Sequence, residues 1–204
     1  MDNDVFSGVV ERFLLASDGF GRRLREVRPD QWACPTPCAE WNVRLLVNHM
    51  TRGNLNYVAL ARGGTATEFA RMRSVDALGD DPAPAFERSV RECADAFSAP
   101  GMLDQVVDYP LGPVTGAQAL AVRTADSVIH TWDLARALRI DETLDAGLVE
   151  WIDGNMAAIY AGLPETPVAE KTRHRFFGPP PDGPAAESAQ DRLLRRTGRD
   201  PHRA

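Results

Sequence analysis

Apolar positions recur at helical spacing in five long stretches of the chain. Between residues 4 and 27 they are Val5, Phe6, Val9, Val10, Phe13, Leu14, Phe20, Leu24 and Val27. This period near 3.6 predicts a first helix over 4–27, weakened in its middle by Gly19 and Gly21 and ended by Pro29. A second helix is predicted over 43–61. Asn42 stands ahead of it as a side-chain cap, and Gly63-Gly64 stops it. Its stripe is Leu45, Leu46, His49, Met50 and Gly53, which turns His49 toward the interior. Pro82 and Pro84 open a third helix over about 84–98, carrying Phe86, Val90, Ala94 and Phe97. The fourth, over about 116–138, is apolar nearly all round, as central helices are. A fifth spans about 144–161 with Leu148, Ile152, Ala157 and Ile159.

The connections read differently. Residues 28–41 are a loop rich in Pro and Cys, with Trp32 and Trp41 at its ends. Residues 64–81 are polar, with a short helical turn near Phe69–Met72, and 99–115 have room for one or two short strands. Phe176-Phe177-Gly178-Pro179-Pro180-Pro181 excludes regular structure, and a short helix over about 186–197 follows it, carrying Arg192, Arg195 and Arg196. The expected architecture is all-α: a four-helix bundle with long connections over 1–175 and a Pro-rich C-terminal extension over 176–204. The short helix of the extension packs on the bundle, and Pro179-Pro180-Pro181 forms a stiff arm across it or across the second subunit of a homodimer.

Polar residues inside apolar helices are the informative exceptions. Asp126, His130 and Asp133 form one stripe on the fourth helix, and His49 lies within the second. A helix brings residues four apart to one face, so Asp126 and His130 can hold one ion, with His49 as a third ligand. A buried carboxylate and imidazole need compensation, from a metal or from a charge partner such as Arg123. Two histidines and a carboxylate leave a coordination position open, as catalytic zinc sites do. Asp133 has three readings: orienting partner of a ligand, an acid/base group, or an ion pair with Arg136 three residues on. Arg52 and Arg123, one and two turns from the histidines, are candidates to bind an anionic group of a cofactor; internally paired arginines are the plainer reading. Trp132 reads as core. Cys38 has no visible basic neighbour and is not read as a nucleophile.

Composition narrows the function classes. With 204 residues, 44% of them hydrophobic, the chain has material for one sizeable core. A net charge of −6 argues against nucleic acid or an anionic membrane as partner. No apolar run of about 18 residues appears, and Met1-Asp2-Asn3-Asp4 lacks the basic start of a signal peptide. Three cysteines without a CxxC pair point to reduced thiols and a cytoplasmic location.

Three segments carry a resemblance. Thr36-Pro37-Cys38-Ala39-Glu40-Trp41-Asn42-Val43-Arg44-Leu45-Leu46-Val47-Asn48-His49-Met50 resembles the second-helix signature of an actinobacterial family of small metal-binding proteins. That family is related to mycothiol-dependent maleylpyruvate isomerase and, more distantly, to DinB-like bundles. Ala125 through Leu138, with Asp126, His130, Trp132 and Asp133, resembles its second signature, and Phe177-Gly178-Pro179 through Gly198-Arg199-Asp200-Pro201 resembles its ending. The resemblance implies a DinB-like bundle holding a divalent metal at His49, Asp126 and His130. Asp126 departs from the glutamate or histidine of many relatives. Zinc is the first expectation, with nickel, iron(II) or manganese also suited to these donors. The implied partners are a small thiol, mycothiol, and a small electrophile. The implied activity is that of a metal- and thiol-dependent S-transferase or isomerase. The alternatives are a non-catalytic metal or small-ligand binding stress protein and a metal-assisted hydrolase.

Overall fold

The computed structural model describes residues 5–163 and 188–202. Helix α1 (Val9–Leu24) starts behind Gly8, whose φ of 67° breaks the backbone course. It is therefore shorter than the predicted 4–27. Gly19 and Gly21 do not interrupt it, because burial of Val9, Phe13, Ala16, Phe20 and Leu24 outweighs their low propensity. Helix α2 (Val43–Ala61) has the predicted bounds, and the Asn42 side chain accepts from the Leu45 N–H at 2.9 Å. Ahead of it, Thr36 N–H donates to the Trp41 carbonyl and Val43 N–H to that of Cys34. The Pro- and Cys-rich loop thus folds back on itself beside α2.

The polar stretch after Gly64 is more ordered than its composition suggests. It forms α3 (Ala66–Arg71), started by a reciprocal Thr65/Glu68 capping box, and a tight turn at Met72–Ser74. Helix α4 (Pro82–Phe97) begins at its proline. Strands β1 (Val106–Val107) and β2 (Val114–Thr115) form a two-residue antiparallel ladder. The central helix α5 (Gly116–Leu138) follows, capped by the Thr115 hydroxyl on the Gln118 N–H. Helices α6 (Ala146–Ile159) and α7 (Ala189–Arg196) complete the described chain. The boundary expected at 175/176 and the Pro179-Pro180-Pro181 arm lie outside the described residues.

The bundle closes as a ring: α1 lies against α5 and α4, and α2 against the same two. Helix α6 covers another side of α5, and α7 lies on α6. The core falls into two clusters. One gathers Phe13, Phe97, Leu120, Trp132, Ile152 and Leu194; the other gathers Phe20, Leu46, Met50, Phe86 and Leu134. Among the described residues no helix is long and apolar enough to cross a membrane.

Candidate metal centre

Helices α2 and α5 face each other, and their polar exceptions meet. His49 Nε2 lies 3.2 Å from Asp126 Oδ2, and His130 Nε2 lies 3.2 Å from Asp126 Oδ1. The three donor atoms all fall within 4.8 Å of one another. The Trp41 ring covers the site from the preceding loop, 4.6 Å from the His49 ring and 5.7 Å from that of His130 between centroids.

Asp126 and His130 are held from behind. Arg123 is only 1% exposed. Its guanidinium donates to Asp126 Oδ2 at 2.5 Å, to Asn54 Oδ1 at 2.8 Å and to the Met50 carbonyl. The Asn54 amide donates in turn to Ser89 Oγ at 3.0 Å, so a polar chain runs from α4 through α2 to the carboxylate. Gly53 makes this fit. A Cβ there would lie 2.6 Å from Arg123 Nη1 and 2.8 Å from Cζ. Arg123 therefore stands as the buried counter-charge of Asp126, the internally paired reading of this arginine. Arg52 sits half-buried on α2, one turn past His49.

Asp133, fully buried, accepts from His130 Nδ1 at 2.8 Å. It also accepts from Arg199 Nη2 at 2.8 Å and Arg199 Nε at 3.3 Å. Arg136 bonds instead to Glu142 at 2.7 Å, so Asp133 takes the role of orienting partner. A hydrogen on His130 Nδ1 pointed at Asp133 leaves Nε2 facing Asp126, the orientation that carboxylate partners impose on metal-binding histidines.

The protonation states follow from these contacts. Burial lowers His49 to a pKa of about 4, outweighing its attraction to Asp126. It is therefore neutral at pH 7, with a lone pair to offer. Burial opposes the charge on His130 too, but Asp126 and Asp133 hold its pKa well above the usual histidine value. Burial likewise works against the Asp126 carboxylate, yet His130 and His49 hold its pKa well below the ordinary range. Asp133 is depressed in the same way, its burial outweighed by Arg199 and His130. Thus the site keeps a carboxylate charged beside two imidazoles, the His130 ring being the most buried of the three groups. That donor set fits a divalent cation of borderline softness.

Cys38 belongs to the same neighbourhood. Its thiol donates to Asp133 Oδ2 at 3.3 Å and lies 4.0 Å from His130 Nδ1, and Arg199 Nη2 points at its sulfur from 3.6 Å. The sequence shows no basic group near Cys38 because these neighbours stand 92 and 161 residues away along the chain. Cys38, His130 and Asp133 also converge closely enough to hold an ion. There, however, the Arg199 guanidinium already supplies the positive charge.

Known proteins share this arrangement of helices. The sequence model of the mycothiol maleylpyruvate isomerase N-terminal domain family matches residues 13–135. The chain belongs to that family. The matched span holds Cys38, His49, Arg123, Asp126, His130 and Asp133. Two uncharacterized proteins of Mycobacterium tuberculosis, one from strain H37Rv and one from strain CDC 1551 / Oshkosh, are each 33% identical over 133 residues. Those matches cover 65% of this chain and 69% of each relative. The crystal structure of a mycothiol-dependent maleylpyruvate isomerase superposes with a TM-score of 0.59 at 15% identity, covering 74% of this chain and 69% of that one. A histidine-to-alanine mutant of the same enzyme gives 0.58 at 14% identity. The all-α, DinB-like bundle expected from the sequence is the fold observed.

Proposed function

We propose that this protein binds one divalent metal ion, zinc first among the candidates, through His49, Asp126 and His130. We further propose that it works on a small electrophile with a small thiol, mycothiol, as an isomerase or S-transferase. One observation carries the reading: two imidazole nitrogens and a carboxylate from two helices converge, with the buried His130 already oriented by Asp133. Membership of a family described by a mycothiol-dependent reaction supports the choice of thiol. A divalent cation supplies Lewis acidity, which makes a thiol or a water nucleophilic near neutral pH.

The chain's own residues prepare this. Asp133 holds the Nδ1 proton of His130, so that Nε2 is the nitrogen turned to the centre and the one that would take up the ion once its own proton leaves. Arg123 fixes one oxygen of Asp126 from its buried side. Trp41 shields the histidine rings from bulk water on one side. Asp126 reaches the centre with one methylene fewer than glutamate would, so a bound ion would lie closer to α5 than with a glutamate there.

The test is metal content first and turnover second. The purified protein should hold about one zinc per chain, the stoichiometry of a three-ligand site. His49→Ala and His130→Ala should each lose it while keeping their helical circular dichroism. Metal content unchanged in both variants would remove the ligand assignment. The zinc-loaded protein should then consume maleylpyruvate or a bimane electrophile only when mycothiol is present. Turnover of an ester or amide without any thiol would favour a hydrolase, and saturable binding without turnover a binding protein.

A further inference from the structure

The family match ends at residue 135, yet the site draws a residue from well beyond it. Helix α7 is anchored on the bundle by Leu193 and Leu194, both fully buried. It ends in a Schellman motif: Arg199 N–H donates to the Leu194 carbonyl at 2.8 Å and Gly198 N–H to that of Arg195 at 3.0 Å. Gly198 takes a φ of 78°, a conformation that side chains with a Cβ rarely adopt. This turn reverses the chain and sends the Arg199 side chain into the bundle.

There the guanidinium is fully used. Nη2 and Nε form a two-pronged contact with both oxygens of Asp133, Nη1 donates to the Thr197 carbonyl at 2.7 Å, and Nη2 lies 3.6 Å from Cys38 Sγ. The chain just beyond is pinned as well, since Arg136 Nη2 donates to the Pro201 carbonyl at 2.8 Å. Asp133 cannot rotate without breaking this fork, and His130 cannot tilt without losing Asp133. A planar guanidinium fixes a carboxylate plane in a way that a lysine ammonium does not.

We infer that Arg199 is a positioning residue of the metal centre: through Asp133 it fixes the His130 ring, and so α7 sets the metal affinity of ligands carried by α2 and α5. The inference rests on the metal-binding reading above. Partners in this position commonly change metal affinity by 10- to 100-fold.

The experiment measures zinc affinity by competition with a chromophoric chelator, and the visible spectrum of the cobalt(II)-substituted protein. It compares the wild type with Arg199→Met, Arg199→Lys, Asp133→Asn and the double variant Arg199→Met/Asp133→Asn. Arg199→Met should weaken zinc binding by roughly 10- to 100-fold and shift the cobalt spectrum. Arg199→Lys, which keeps the charge but not the fork, should fall between. The double variant should bind no more weakly than the worse single variant, because both act through one path. A lower melting temperature with unchanged zinc affinity and cobalt spectrum would make Arg199 merely structural and overturn the inference. Should Arg199→Met not fold, the milder Arg199→Lys decides alone: wild-type affinity and spectrum there overturn it too. Failure of the underlying reading looks different. In that case wild type and His130→Ala would bind zinc equally poorly.

Discussion

At the scale of single residues, the two histidines are prepared in opposite ways. His49 is neutral because burial outweighs its carboxylate neighbour, and its pKa stands at about 4. His130 is pushed toward its charged form instead, because Asp126 and Asp133 outweigh the same burial. Zinc must therefore displace a proton from His130 and none from His49. Roughly one proton should be released per zinc at neutral pH, as ligands that must deprotonate require. The sign is fixed by the raised value: affinity should rise with pH until the pKa of His130 in the folded protein is passed, and then level. Calorimetric titrations in buffers of differing protonation enthalpy count the protons. A count of zero would mean that no protonated His130 is displaced by the ion.

At the scale of helices, the contact between α2 and α5 depends on the absence of one side chain. Gly53 leaves the space that the Arg123 guanidinium fills. Gly53→Ala would gain helix propensity, about 1 kcal/mol, but must push aside a group bonded to Asp126, Asn54 and Met50. The expected net result is a loss of 1–3 kcal/mol, about the cost of overpacking with a broken buried hydrogen bond. Gly154 on α6 has open space around its missing Cβ, so Gly154→Ala should stabilise by roughly 0.5–1 kcal/mol. Urea denaturation of both variants checks the contrast; equal effects would mean that Arg123 is not held tightly. Helices α2 and α5 were legible in the sequence because caps and breakers flank long apolar runs. Their facing polar residues, His49, Asp126 and His130, were legible because ionisable groups in such runs are conspicuous. Asn54 and Ser89 were not, since short polar residues on amphipathic helices read as solvent-facing. The Asp133–Arg199 fork and the surroundings of Cys38 depend on long-range folding that no local pattern encodes.

At the scale of the molecule, a polar layer crosses the bundle between the two apolar clusters. On α1, Ser17 separates Phe13 of one cluster from Phe20 of the other. Thr51 and Asn54 do the same between Met50 and Tyr57 on α2, and Ser89 between Phe86 and Cys93 on α4. The layer opens at the metal centre, so an ion there ties α2 to α5 at the level where the core is least apolar. Zinc at a thousandfold excess over its Kd should add about 4 kcal/mol to stability. For a chain of this size that corresponds to a rise in melting temperature on the order of 10 °C. Scanning calorimetry with and without zinc measures it, and an unchanged midpoint in the wild type would mean that the folded state does not bind the ion.

The centre is also not equally open on all sides. The side chains of Asp126 and His49 are 32% and 26% exposed, that of His130 only 7%. An ion binding as proposed would therefore meet the Asp126 carboxylate and the His49 imidazole before it reached His130 beneath them. Loading of the proposed ion would then have a direction: capture at the rim first, and seating after the buried imidazole gives up its proton. Departure would run the same route backward, so a chelator would act first on the rim ligands and the exchange lifetime would be set at the floor.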